Sequence, residues 1–160
     1  MKADVFAGPR LAIAAAVAAL LFAPGAVGAA EPRRPEFLNS GTVLATDLPF
    51  SEAVRFDGML YLSGQVGIEP HTLKLVPGGI RAEARQALDN VRAVLAANGR
   101  TPADVVRCTV MLADIRDWEA FNEAWRTFFS KPYPARSALG ANGLALGAQV
   151  EIECTATAGR

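Results

Sequence analysis

Two side chains in the second half of the chain are the best equipped for chemistry. Arg136 lies in Tyr133-Pro-Ala-Arg-Ser137, and Glu151 follows fifteen residues after it in Val150-Glu-Ile-Glu153. A guanidinium presents a planar fork of donors that suits a carboxylate, and a glutamate can orient or deprotonate a water. Taken alone, the pair reads more readily as a structural ion pair between neighbouring strands, because ion pairs are so often merely structural. Ser63 by itself is a strand-end residue, with no histidine in a pattern that would make a triad. Asn122 alone would be an exposed helix amide. The single histidine, His71, sits in a loop with no motif around it and reads as solvated. Cys108 and Cys154 fit no zinc spacing, and His71 cannot complete a metal site with them, so no metal is expected. Both cysteines fall on apolar strand faces, where a free thiol packs as a small hydrophobe; they are expected to be reduced and slow to react, with a disulfide open to them if their strands are adjacent and the geometry permits.

The elements that must position these residues are visible as periodicities. Around Ala53 to Gln65 two short strands are joined through Asp57-Gly58, a dipeptide suited to tight hairpins. Alternation along the second strand sends Leu60 and Leu62 to one face and Tyr61, Ser63 and Gln65 to the other. Residues 66–79 hold three glycines and two prolines and read as a loop. From Ile80 to Ala97 the residues Ala84, Leu88, Val91 and Leu95 recur at helical steps, with Arg85, Asp89 and Arg92 between them, and Gly99 closes that helix. Val105 to Leu112 is a strand with Val106, Cys108, Val110 and Leu112 on one face and Arg107, Thr109 and Met111 on the other. Asp117 is placed to cap a second helix whose stripe is Trp118, Phe121, Trp125 and Phe128; at helical spacing these rings are core material. An extended stretch after Pro134, a glycine-rich loop from Gly140 to Gly147 and the strand Val150 to Ala156 complete the chain. This order predicts an α+β domain, a mixed sheet with both helices on one face. Its other face, with Tyr61, Ser63, Thr109, Glu151 and Glu153, is too polar for a core and suits contact with another subunit.

One domain is the expectation from 160 residues, preceded by a segment of different character. Lys2 and Arg10 lead into a thirteen-residue apolar run, Leu11 to Ala23, and then into Pro24, Gly25 and small residues through Ala30. The run is too short to span a bilayer, which needs about 20 residues, and the pattern is that of a secretory signal over residues 1–30, cleaved after Ala29 or Ala30. The destination would be the periplasm or the medium, with no membrane attachment after cleavage. Residues 31–38, with two prolines and several charges, read as an extended linker, which leaves 39–160 as the folded domain. Of 16 basic and 16 acidic side chains the first thirty residues hold only Lys2, Arg10 and Asp4, so the remainder is close to neutral. A nucleic-acid partner is therefore not expected, since phosphate binding relies on a basic excess.

Four motifs weigh against the merely structural reading of Arg136 and Glu151. Ser63-Gly-Gln65, Ala84-Arg-Gln-Ala-Leu-Asp-Asn-Val91, Pro134-Ala-Arg-Ser137 and Val150-Glu-Ile-Glu153 occur in the order and spacing of the Rid family, also called the YjgF family, and the chain resembles that family over roughly residues 40 to 158. The resemblance implies a chorismate-mutase-like α+β protomer, a homotrimer with a cleft at each subunit interface, and hydrolysis of reactive 2-imino acids to 2-oxo acids and ammonia without metal or organic cofactor. By matching positions, Arg136 would clamp the substrate carboxylate, Glu151 would activate water, Ser63 would line the pocket, and Asn122 would reach the same cleft from the neighbouring subunit. Two positions depart from the family. Phe50, in Leu48-Pro-Phe-Ser-Glu52, stands where a tyrosine is common, and Ala138 stands where many active members have a cysteine. The first removes a hydrogen-bonding hydroxyl, and the second tunes the pocket without removing the water base. The rivals to a deaminase are a non-catalytic trimer that binds a small carboxylate or 2-oxo acid through Arg136, and an endoribonuclease, which the neutral charge disfavours.

Overall fold

The computed structural model describes residues 33–159. The signal segment and its cleavage point lie outside the described residues. In chain order the elements are β1 (Glu36–Leu38), β2 (Ala53–Phe56), β3 (Met59–Leu62), β4 (Gln65–Val66), α1 (Gly79–Ala97), β5 (Val105–Leu112), α2 (Trp118–Phe128), β6 (Ala135–Gly140) and β7 (Val150–Thr157). The strands form one mixed sheet in the order β1-β2-β3-β7-β5-β6, with β4 pairing onto β7. All pairings are antiparallel except β5 with β6, which are parallel and joined through α2. The β2–β3 hairpin turns on Asp57 (φ 49°) and Gly58 (φ 78°), the left-handed pair that a two-residue turn requires.

Both helices cover one face, and the core lies between them and the sheet. Ala84, Leu88, Val91 and Leu95 of α1 and Phe121 and Trp125 of α2 are buried against Leu60, Leu62, Val110, Leu112, Val150 and Ile152. The helical and strand periods read from the sequence thus mark the right faces, because burial of one face is what creates those periods. Phe129 also enters the core, stacked 4.4 Å from Trp125, just past the end of α2.

Five expectations are corrected. The linker is shorter than 31–38: Glu36–Leu38 pairs with β2, drawn in by Leu38 against the core and by an Arg55–Glu36 bond of 2.7 Å. In β5 a bulge between Val105 and Arg107 shifts the register, so Val105 is 8% exposed and takes the inward place expected of Val106, which is 47% exposed. The chain bends at Ser63-Gly64, which buries Gln65 instead of leaving it on the open face; its Nε2 donates to the Ser63 carbonyl at 3.2 Å. Asp117 stands at the start of α2 without a side-chain capping bond, while Asp114 accepts from the Arg116 N–H at 2.9 Å and caps the short turn before it. The cysteines are not free thiols: Cys108 on β5 faces Cys154 on β7 directly, with Cα atoms 4.1 Å apart, and the two form a buried disulfide. Both lie on the inward faces that alternation assigns them, and the strand register, which alternation within one strand does not contain, brings them together.

Candidate active site

Glu151 occupies the open face of β7, between inward-facing Val150 and Ile152. The chain beside it is Ser63-Gly64, and the glycine is a requirement of space. A Cβ at residue 64 would lie 1.9 Å from the Glu151 Oε1 atom and 2.8 Å from its Cδ. The absent side chain at 64 therefore leaves the place that the carboxylate fills. Ser63 donates its hydroxyl to the Ser51 carbonyl at 2.7 Å, and its N–H donates to the Glu52 carbonyl at 3.0 Å, which ties the segment carrying Phe50 to the end of β3. Glu52 is buried behind that segment and accepts from the Ser40 N–H at 2.8 Å and from the Ser40 hydroxyl. Around Glu151 and Ser63 the loops line a half-open pocket of about 400 Å³, whose other walls include Leu44, Leu48, Phe50, Leu73 and Leu146. Burial, and after it the charge of Glu153, pushes the Glu151 carboxyl above the ordinary glutamate range. A carboxylate raised in this way holds a proton more firmly and is a stronger base towards water.

Arg136 is elsewhere. It lies on β6 in register with Cys108, which pairs with Cys154, so its side chain shares the helix-covered face with the disulfide. There the guanidinium rests among aromatic rings of α2, 4.6 Å from the Trp118 ring, 4.6 Å from Trp125 and 5.5 Å from Phe121. Its Nη2 donates to Asn122 Oδ1 at 2.8 Å, while the buried Nη1 has no hydrogen-bond partner among the described residues. Burial, and secondarily the charge of Arg126, lowers its pKa from the usual arginine value. An arginine remains charged under such a shift, so the effect is a desolvated cation with donor capacity to spare. A second cavity of about 410 Å³ opens over it, lined also by Tyr133, Pro134 and Arg126.

Arg136 and Glu151 thus project from opposite faces of one sheet. They are also two strands apart, roughly 10 Å, and offset by three residues, about another 10 Å. Among the described residues neither makes an ion pair, so the structural salt bridge between neighbouring strands is excluded. Ser63, Phe50 and Glu151 line one cavity of the protomer; Asn122 and Arg136 line the other. The expectation that Asn122 comes from a different subunit than Arg136 is corrected by their direct hydrogen bond within one protomer. Ala138, two residues beyond Arg136, packs against the core and lines neither of these cavities.

The family model described as endoribonuclease L-PSP matches residues 41–158. The chain belongs to that family, the Rid or YjgF family. A goat protein named 2-iminobutanoate/2-iminopropanoate deaminase is 44% identical over 111 residues, 69% of this chain and 81% of its own length. Among solved structures, RidA from an Antarctic Psychrobacter superposes with a TM-score of 0.72 at 34% identity, covering 76% of this chain and 98% of that one. TdcF of E. coli, solved with bound serine, gives 0.70 at 28% identity over 76% and 98%. The mixed sheet with two helices on one face is therefore the Rid-family fold.

Within this Rid-family protomer the site also holds residues whose part in it does not follow from their spacing in the sequence. Trp118 and Trp125 are core by periodicity, yet their faces also cradle Arg136; a cation supplied by the strand that follows the helix leaves no trace in helical spacing. Leu48, Leu73 and Leu146 lie in loops without periodicity. Gly64 had a readable signal, a glycine between Ser63 and Gln65 at a strand end, where a close approach is a standard cause.

Proposed function

We propose that the protein hydrolyses 2-imino acids to 2-oxo acids and ammonia at a site completed by two protomers of a homotrimer. The observation that carries this reading is the separation of a desolvated arginine with unused donors and a half-buried glutamate of raised pKa onto opposite faces of one sheet. Neither alone suffices for the reaction, and a neighbouring copy supplies the missing half. Head-to-tail contacts of this kind close into rings, and each interface of the ring would hold one Arg136 and one Glu151. The 44% identity to a named imine deaminase makes the chain an imine-hydrolysing enzyme, and binding of serine by TdcF is in keeping with a small substrate bearing a carboxylate.

In the proposed site Arg136 and Asn122 of one protomer hold the carboxylate, and Glu151 and Ser63 of the next face the imine carbon. Glu151 accepts a proton from water as the water oxygen bonds to that carbon and the C=N double bond becomes single. Glu151 passes that proton on to the nitrogen, which regenerates the carboxylate and completes the carbinolamine. Transfer of the hydroxyl proton through Glu151 to nitrogen then breaks the C–N bond, leaving the 2-oxo acid and ammonia. The imine carbon is already electrophilic, so placement of base, water and anion anchor accounts for the catalysis. Phe50 contributes a ring and no hydroxyl.

The test generates 2-iminopropanoate or 2-iminobutanoate with an amino-acid oxidase and follows 2-oxo acid release with and without the protein. Acceleration over buffer is expected, and its absence would refute the reading. For the endoribonuclease reading the same site offers a carboxylate in an apolar wall, which repels phosphate. Export is the companion proposal, on the strength of the apolar run at 11–23. An N-terminus at Ala30 or Glu31 by mass spectrometry supports it, and an intact Met1 in mature material contradicts it.

A further inference from the structure

We propose that the site is built for 2-imino acids with bulky apolar side chains, of the kind derived from leucine, methionine or phenylalanine, in preference to the three- and four-carbon imines 2-iminopropanoate and 2-iminobutanoate; this rests on the deaminase reading above. The cavity beside Glu151 measures about 400 Å³, within the usual range for sites that enclose a whole small molecule. Its polar side chains are few, chiefly Glu151 and Ser63, while Leu44, Leu48, Phe50, Leu73 and Leu146 supply the walls. The carboxylate of the substrate goes to Arg136 and the imine carbon to Glu151, so the only part of the molecule left to meet these walls is the side chain. A methyl group would leave most of that volume unfilled and forfeit the contacts that its lining could make.

Two details of the chain strengthen the assignment. Phe50 presents a hydrocarbon ring to the cavity at a position that carries no hydroxyl. Leu146 adopts a left-handed backbone (φ 59°, ψ 10°), unusual for a leucine, within a short helical turn at the cavity wall. Strained residues of this sort persist where the surroundings fix them, and here the strain sets an apolar side chain at the site when glycines stand close by at 143 and 147. Leu73 is held on the opposite loop, where Ile68 bridges to Leu75 and Thr72 bonds back to the Glu69 carbonyl at 2.8 Å.

One added methylene in a hydrophobic pocket changes kcat/KM by about 10–200-fold. The imine of leucine, with three more carbons than 2-iminopropanoate, should therefore be preferred by at least roughly tenfold in kcat/KM. The experiment compares imines made by an amino-acid oxidase from alanine, leucine, methionine and phenylalanine, using the whole mature protein. In parallel, calorimetry compares binding of pyruvate with binding of 4-methyl-2-oxopentanoate. Faster hydrolysis of the large imines and tighter binding of the larger 2-oxo acid are expected, and Leu73→Ser or Leu146→Ser should shrink both ratios. Equal or better handling of the alanine-derived imine overturns this inference while leaving the deaminase reading intact. Acceleration of none of the imines refutes the deaminase reading itself, and the binding ratio then still decides whether the cavity selects apolar chains.

Discussion

Glu151 is the residue on which activity and stability should pull in opposite directions. Burial holds its carboxyl above the usual range, so the folded protein binds that proton more tightly than the unfolded chain does. The resulting stabilisation is fully present below the ordinary glutamate pKa and is lost as pH rises through the raised value. Glu151→Gln removes the cost of ionisation, so thermal unfolding should occur at higher temperature than in the parent at neutral pH, with the gap closing as pH falls below about 4.3. The same variant should lose on the order of 10²–10⁴ in rate while ligand affinity is largely kept, which a non-catalytic binding trimer would not show. The parent's rate should fall on the acid side at a pH above the ordinary glutamate pKa, because only the ionised carboxylate accepts the proton from water. Arg136→Ala acts on binding instead: loss of charge-assisted hydrogen bonds to the carboxylate should weaken affinity for a 2-oxo acid by roughly 1.5–3 kcal/mol, readable by calorimetry.

At the scale of strands and loops, Gly64 is the hinge of the site. In Gly64→Ala the new Cβ would collide with the end of the Glu151 side chain and not with backbone, so the carboxylate would be displaced at little cost to folding. Near-parental thermal stability with a loss of turnover is the expected result, measured by calorimetric unfolding alongside the imine assay. The β5–β7 disulfide is an equally local device. It closes a loop of 46 residues, for which chain entropy gives roughly 2–4 kcal/mol of stability, so reductant should lower the unfolding midpoint, and thiol titration of the unfolded, unreduced protein should find none. This is also where legibility in the sequence divides. Strands and helices with an unbroken period, such as α1 and β7, can be read directly because their inward faces repeat. The bulge at Val106, the bend that buries Gln65 and the meeting of Cys108 with Cys154 depend on register between strands, which no period within a single strand contains.

For the whole molecule, the site residues were legible as types and not as an arrangement. Arg136, Glu151 and Ser63 stand out through motifs, but their distribution over two faces appears only once β6, β5 and β7 are aligned through Arg136, Cys108 and Cys154. On the open face Tyr61, Val106 and Leu139 are exposed beside Glu151 and Glu153, a mixture suited to the subunit contact proposed above. The central claim is that each active site takes Arg136 from one protomer and Glu151 from the next. The most direct measurement mixes the two dead variants. Arg136→Ala and Glu151→Gln are co-expressed with different tags, the mixed trimers are isolated, and their 2-imino acid hydrolysis is compared with that of each variant alone. Every trimer that mixes the two variants joins an intact arginine to an intact glutamate at one of its three interfaces, so the isolated mixed trimers should recover about a third of the parental activity. Mixed trimers as inactive as the separate variants would place both residues in a site of one protomer and contradict the account.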